Sequence, residues 1–414
     1  MSRGLATFLF AQFLTAFGDN AILFAAVALV LQQGQSGGWY LPALQSAFLL
    51  AFVVLAPWVG VYADRHPKAG VLVRANLIKG AGTLLLIFGA DPLLAFLVVG
   101  AGAAYYGPAK YGILPELVSE DRLVRVNGWV EGSTILAIVG GSMIGAAVAD
   151  HSVQGAFLLV LALYFLSALA ARFVPKTAPQ RAVAAGFPSA MRGLLATSRA
   201  RFSTLGVSLF WAAATVLRVA VVAWAPLVLG LTKSVDLAEL ILFSAIGTVL
   251  GAALASRWIP LQCLRRARLA AYGMGLAILL LSAVWGLWEA RALLLVAGLM
   301  GGLFVVPVNA ALQHIGHRSI GAGSAVAVQH FFENLAMVAA TGLYSLAAGQ
   351  GADPVASLLG LGVAVVLATV LVSWNLPPDP AAAARSPNPA PGVAADESRP
   401  DRSSIPVRSF ERTD

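Results

Sequence analysis

Twelve stretches of about twenty predominantly apolar residues follow one another along this chain, each long enough to cross a hydrocarbon core of roughly 30 Å as a helix. They lie near residues 5–31, 42–63, 71–89, 93–113, 125–149 and 154–174, then 201–230, 236–259, 266–288, 291–313, 321–349 and 353–376. Inside hydrocarbon a backbone finds no water, so each stretch must satisfy its own N–H and C=O groups, which selects the α-helix. With 59% of residues hydrophobic and 11% charged, and a mean hydropathy of +0.82, no water-soluble core could enclose this apolar surface. The reading is an all-α integral membrane protein of twelve transmembrane helices. The first stretch is too long and too polar at its centre for a cleaved leader and is expected to persist as a helix.

Residues 175–200, rich in Ala, Pro, Thr, Ser and Arg, divide the chain into a six-helix half over 1–174 and another over 201–376. Residues 377–414 are rich in proline and mixed charge and are expected to be a disordered tail. The formal charge of +8 is distributed by topology: Arg65, Lys68, Arg122, Arg125, Lys176, Arg181, Arg192, Arg199, Arg201, Arg257, Arg265, Arg266, Arg268 and Arg318 fall in or beside alternate loops, opposite little more than Lys233 and Arg291. The positive-inside rule then places both termini in the cytoplasm. The halves show internal symmetry: Val126, Asn127 and Glu131 are spaced as Val328, Gln329 and Glu333 are, and Pro108 in the fourth span matches Pro307 in the tenth. Duplicated halves around a central cavity are a transporter plan.

Charges stand inside these apolar stretches: Asp19, Lys79, Lys110, Glu131, Arg218 and Glu333. An ionisable group at bilayer depth costs on the order of 2.5–3.5 kcal/mol and persists where it lines a polar cavity. Steps of three, four and seven place each on one helix face with other polar residues. The sets are Gln12, Thr15 and Asp19; Asn76, Lys79 and Thr83; Tyr106 and Lys110; Asn127, Glu131 and Thr134; Trp211, Thr215 and Arg218; and Gln329 with Glu333. Three cations and three anions suit a zwitterionic cargo, with phosphate on a guanidinium or ammonium and an amine on a carboxylate. They also suit a gate, for which Asp19 and Arg218 are the expected pair, being lone charges at similar depth in the first helix of each half. A single polar residue in such a helix is also commonly interhelical glue.

Other chemistries find little footing. A single cysteine, Cys263, excludes an internal disulfide, and no Cys/His spacing suggests zinc. No cofactor is expected, and basic residues without interleaved aromatics do not suggest nucleic acid. His314 and His317 are read as loop residues, and His330 as a hydrogen-bonded histidine on a polar face. Glycines such as Gly140, Gly141 and Gly145, or Gly301 and Gly302, are expected to allow close helix packing.

After the second span, Gly60 is followed by Asp64 and Arg65, with Lys68 and Arg74 downstream. This resembles the signature loop of the major facilitator superfamily, with Pro67 and Ala69 in place of a glycine and a second base. Six longer stretches resemble one branch, the bacterial lysophospholipid transporters: AQFLTAFGDNAILFA at 11–25, GAAYYGPAKYGILPEL at 102–117, VNGWVEGST at 126–134, SLFWAAATVLR at 208–218, GGLFVVPVNAALQ at 301–313 and GAGSAVAVQHFFENLAM at 321–337. RANLIKG at 74–80 brings in Lys79. The resemblance implies two pseudo-symmetric six-helix halves and a flippase of the bacterial inner membrane. Such a protein carries lysophosphatidylethanolamine and related lysophospholipids to the cytoplasmic leaflet, where an acyltransferase coupled to an acyl carrier protein synthetase restores the second chain. It implies substrate-binding or gating roles for Asp19, Asn20, Lys79, Lys110, Asn127, Glu131, Arg218 and Glu333, and a conformational role for Gly60, Asp64 and Arg65. The residues alone also allow a proton-coupled exporter of small amphiphiles or drugs, or a membrane-embedded lipid-remodelling enzyme.

Overall fold

The computed structural model describes residues 3–32, 40–175, 186–231, 234–374 and 376. The expected disordered tail, residues 176–185 of the linker and Lys233 lie outside them. Fourteen helices occur among the described residues: α1 Arg3–Gln32, α2 Tyr40–Arg65, α3 Lys68–Ile87, α4 Pro92–Gly112, α5 Leu114–Leu117, α6 Glu120–His151, α7 Val153–Ala171, α8 Phe187–Ala196, α9 Ser198–Val228, α10 Ser234–Trp258, α11 Leu264–Leu281, α12 Leu287–Arg318, α13 Ala322–Gly349 and α14 Pro354–Ser373. Eleven are long and apolar enough to cross a membrane. The ninth apolar stretch corresponds to α11, which falls outside those eleven: its 18 residues open on Arg265, Arg266 and Arg268.

Local chemistry starts these helices where the apolar runs begin. Asp91 accepts from the backbone N–H groups of Leu93 and Leu94, with Pro92 in the first turn of α4. Ser152, Thr197 and Asp353 accept in the same way ahead of α7, α9 and α14. Each satisfies a donor that the first helical turn leaves without a partner. The apolar outer faces meet lipid: on α14, Leu359, Val363, Leu367 and Leu371 recur every fourth residue and are 42–75% exposed.

The packing of the first six long helices repeats in the last six. Helix α2 packs on α4 as α10 packs on α12, α3 on α4 as α11 on α12, α1 on α6 and α7 as α9 on α13 and α14, and α3 on α7 as α11 on α14. The halves meet through two equivalent seams, α2 with α13 and α6 with α10. Small residues bring backbones together at Gly141, Gly145 and Gly302, as expected, whereas Gly140 and Gly301 make room for the Phe17 and Phe210 rings. A Cβ on Gly141 or Gly145 would strike α1 at Phe17 or Ala21, and one on Gly298 or Gly302 would strike α10 at Ser244 or Thr248.

Three differences from the sequence reading have local causes. Helix α11 ends at Leu281, where the N–H groups of Ser282 and Ala283 tighten onto the Leu279 and Leu280 carbonyls at 3.2 and 3.0 Å, and Gly286 precedes the next helix as its N-cap. Helix α12 runs on to Arg318, so His314 and His317 belong to its last turns rather than to a loop. Glu120 at the start of α6 lies beside this end, 3.6 Å from His314 Nε2 and 3.5 Å from Arg318. The linker contains α8, whose Phe187, Ala190, Met191 and Leu194 repeat at helical spacing and pack on Leu312, Ala325 and Val328 of α12 and α13.

Candidate functional site

Two polar systems occupy the middle of the bundle, and only one of them joins the halves. The first belongs to α1, α3, α4 and α7. Lys79, 1% exposed, donates to Asp19 at 2.7 Å and to the Thr15 hydroxyl at 3.1 Å. Its ammonium also faces the Tyr106 and Tyr164 rings, with centroids at 4.8 and 5.6 Å, and Tyr164 donates to the other Asp19 oxygen at 2.9 Å. Thr15 donates to Asn76, Asn76 to Ser167, and Ser167 to the Ala11 carbonyl. A buried ammonium is tolerable only with a counter-ion and full hydrogen bonding, and this half supplies both.

The expected partner of Asp19 is therefore displaced. Among the described residues no ion pair joins Asp19 to Arg218; Asp19 binds Lys79 of its own half. Arg218 is exposed on α9 and has no carboxylate within 4 Å among the described residues. Asn20, beside Asp19, donates to the Ala16 carbonyl one turn back.

The second system crosses between the halves on α4, α6, α12 and α13. Asn127 and Gln313 exchange two side-chain hydrogen bonds of 2.9 and 2.7 Å. Glu131, buried, accepts on one oxygen from Tyr111 at 2.8 Å and from Asn309 at 2.9 Å. Gln329 donates to Asn309 at 3.0 Å and to Glu333 at 3.4 Å. Lys110 donates to Thr134 at 3.2 Å and lies over the Tyr111 ring at 4.6 Å, with no carboxylate within 4 Å among the described residues. Sequence reasoning did not single out Asn309, Gln313, Tyr111 or Tyr164. The one available signal was the four-residue step between Asn309 and Gln313 on an otherwise apolar helix. His330 also differs from expectation: its Nδ1 is buried without a hydrogen bond, and its ring packs on Phe52 and Tyr111.

One end of the bundle is sealed. Asp64, at the end of α2, accepts from the backbone N–H groups of Gly323 and Ser324 at 2.7 and 2.8 Å and from the Ser324 hydroxyl at 2.7 Å. A carboxylate from one half thus caps the N-terminus of α13 in the other, where the helix dipole and unpaired donors favour an anion. Gly321, at φ 99°, turns the chain into that helix. Gly60 sets the spacing, since a Cβ there would lie 2.7 Å from Ser324 Cα. Arg65 is exposed, and Lys68, buried, pairs with Glu116. Towards the opposite end α13 loses its cover: Leu335, Val338, Leu343 and Leu346 are 47–71% exposed, whereas residues 322–329 are buried. The halves therefore touch at the end bearing the basic loops, and α13 is exposed towards its other end; of the charged side chains between, Lys110 is buried, Glu333 half-buried and Arg218 exposed.

A bundle of twelve long helices built from two repeated halves, capped together at one end and joined at its centre by a buried polar network, has the architecture of a membrane transporter. The sequence matches the Major Facilitator Superfamily over residues 8–341, and the chain belongs to that family. It is similar to the lysophospholipid transporter LplT of Photorhabdus laumondii, with 40% identity over 384 residues that cover 91% of this chain and 96% of that protein. The corresponding protein of Yersinia enterocolitica is 42% identical over 364 residues, covering 86% and 90%. Among solved structures, the human organic anion transporter MFSD10 shares the fold with a TM-score of 0.74 at 15% identity, over 89% of this chain and 99% of that one. A bacterial homologue of the iron transporter ferroportin, in an outward-facing state, does so with a TM-score of 0.71 at 14% identity, over 90% and 100%. The chain is a multi-pass transporter and not an enzyme.

Proposed function

We propose that this protein carries lysophospholipids, lysophosphatidylethanolamine among them, from the outer to the cytoplasmic leaflet of a bacterial inner membrane by alternating access. The observation that carries the reading is that Lys110, buried over Tyr111, and Arg218, exposed on α9, have no carboxylate within 4 Å among the described residues; in this reading both line a crevice between the halves. Such groups suit a phosphate, to which ammonium and guanidinium make charge-assisted hydrogen bonds. A carboxylate on the same crevice, Glu333, and the second oxygen of Glu131 suit the amine of a zwitterion. The names of the relatives that align over most of the chain point to the same cargo.

In this reading the basic end is cytoplasmic, both termini lie there, and residues 1–174 and 201–376 rock about the crevice as bodies. The Asp64 cap on α13 holds the cytoplasmic side closed while the crevice admits cargo from the other side. Asp19 and Lys79 keep the first half rigid behind it. The delivered lysophospholipid is a substrate for reacylation, which makes an inner-membrane acyltransferase with an acyl carrier protein synthetase the functional partner.

Purified protein in liposomes should move labelled lysophosphatidylethanolamine between leaflets without changing its mass. A product of altered mass would point to lipid chemistry instead. Efflux of cationic amphiphiles driven by an imposed pH gradient, with no lipid movement, would replace this reading with that of a proton-coupled exporter.

A further inference from the structure

The exposed surface of the first half carries a cation that none of the central polar networks uses. Along α3 and its C-cap, Arg74, Leu77, Ala81, Leu84 and Phe88 form one exposed stripe at steps of three and four. Leu77, Leu84 and Phe88 are 56, 38 and 82% exposed, as befits a face against acyl chains, and Arg74 is the cation at its end. Six residues beyond the start of α3, it stands about 9 Å along the helix from the basic loop.

Arg74 is held rather than free. Its Nη1 donates to the Tyr62 hydroxyl of α2 at 2.6 Å, and its guanidinium carbon lies 5.9 Å from the Tyr62 ring centre. Tyr62 is wedged in turn against His66, with centroids at 4.2 Å, and edge-on to Tyr105 of α4 at 5.3 Å. The His66 Nδ1–H donates to the Tyr62 carbonyl at 2.9 Å. Helices α2 and α3 barely touch, and both pack on α4. The Arg74 to Tyr62 bridge therefore links two helices that otherwise hardly meet, with Tyr62 braced edge-on against Tyr105 of α4.

The donors are in excess. A guanidinium has five N–H groups, and the described contacts use one. Because Tyr62 accepts from Arg74, its own phenolic hydrogen remains to be given. No carboxylate lies within 4 Å of Arg74 among the described residues, and the nearby Asp64 is turned inward onto α13. Arg65 adds a further exposed positive charge at the end of α2. We propose that Arg74 and the Tyr62 hydroxyl bind the phosphate of an anionic phospholipid of the surrounding leaflet, its acyl chains lying along the α3 stripe. This site is distinct from the crevice and built from the first half alone.

Native mass spectrometry of the full chain, released from nanodiscs of phosphatidylcholine doped with phosphatidylglycerol, tests it. Wild type should retain a phosphatidylglycerol adduct. Arg74→Gln should weaken it about tenfold, as expected for one lost charge-assisted contact, and Tyr62→Phe, which keeps the ring packing, should weaken it by a smaller factor. Arg172→Gln, an exposed base elsewhere on this half, should leave it unchanged. Retention undiminished in both Arg74→Gln and Tyr62→Phe, or equal loss in Arg172→Gln, would overturn the proposal. Displacement of the lipid by inorganic phosphate would do so as well, since the site would then take the free anion.

Discussion

Lys79 carries a charge with almost no access to solvent, and its nearest acid is 60 residues away on α1. The sequence made the charge visible but not the pairing, because pairing depends on which helices are neighbours. Asp19 and Arg218 each lie in the first long helix of a half, but Asp19 finds its partner on α3 of its own half. Asp19→Asn leaves an uncompensated ammonium in the protein interior and should cost about 3–5 kcal/mol of stability. Lys79→Met should cost less, because Asp19 is 22% exposed and water can still reach the stranded carboxylate. The double substitution should recover part of the loss, read as thermal unfolding in detergent. Additive single effects would contradict a direct pair. Asn309 and Gln313 mark the other limit of legibility: their polar spacing is visible, but sequence cannot distinguish interhelical glue from a network that joins the halves.

At the scale of elements, the span positions were readable because the hydrocarbon core sets a length and apolar runs report it. The short helices were harder. Helix α8 has ten residues, too few for a span, and its apolar face exists to pack on α12 and α13. The last turns of α12 look like loop in sequence because His314, His317 and Arg318 are polar, yet the helix runs through them beside Glu120 of α6. The seam between α2 and α13 depends on two features, the glycine spacing and the Asp64 cap. Asp64→Ala removes a charged cap of the kind usually worth about 1–2 kcal/mol, and Gly60→Val forces the helices apart. Both should shift the population towards opening at the basic end. Spin labels on Arg122 and Arg266, one in each half, in a Cys263→Ala background should report a longer distance in both variants. An unchanged distance distribution would remove the cap from the gate.

For the whole molecule, the alternation of basic loops predicts sidedness. A cysteine at Gly351, in the Cys263→Ala background, should react with an impermeant reagent from outside intact cells, and one at Gln262 should not. The reverse pattern would invert the proposed direction of transport. The repeated packing of the two halves was legible only in outline, from Pro108 with Pro307 and from Glu131 with Glu333. Which end is sealed was not legible, since one sequence supports both conformations and the choice lies in small differences at the seams. The central claim is that the crevice takes the phosphate of a one-chain lipid on Lys110 and Arg218. The most direct measurement is transbilayer movement of lysophosphatidylethanolamine and its diacyl parent in proteoliposomes of wild type, Lys110→Gln and Arg218→Gln. The expected result is strong preference for the one-chain lipid in wild type and a loss of about tenfold or more in each variant. Equal movement of one-chain and two-chain lipids, or undiminished transport in both variants, would contradict it.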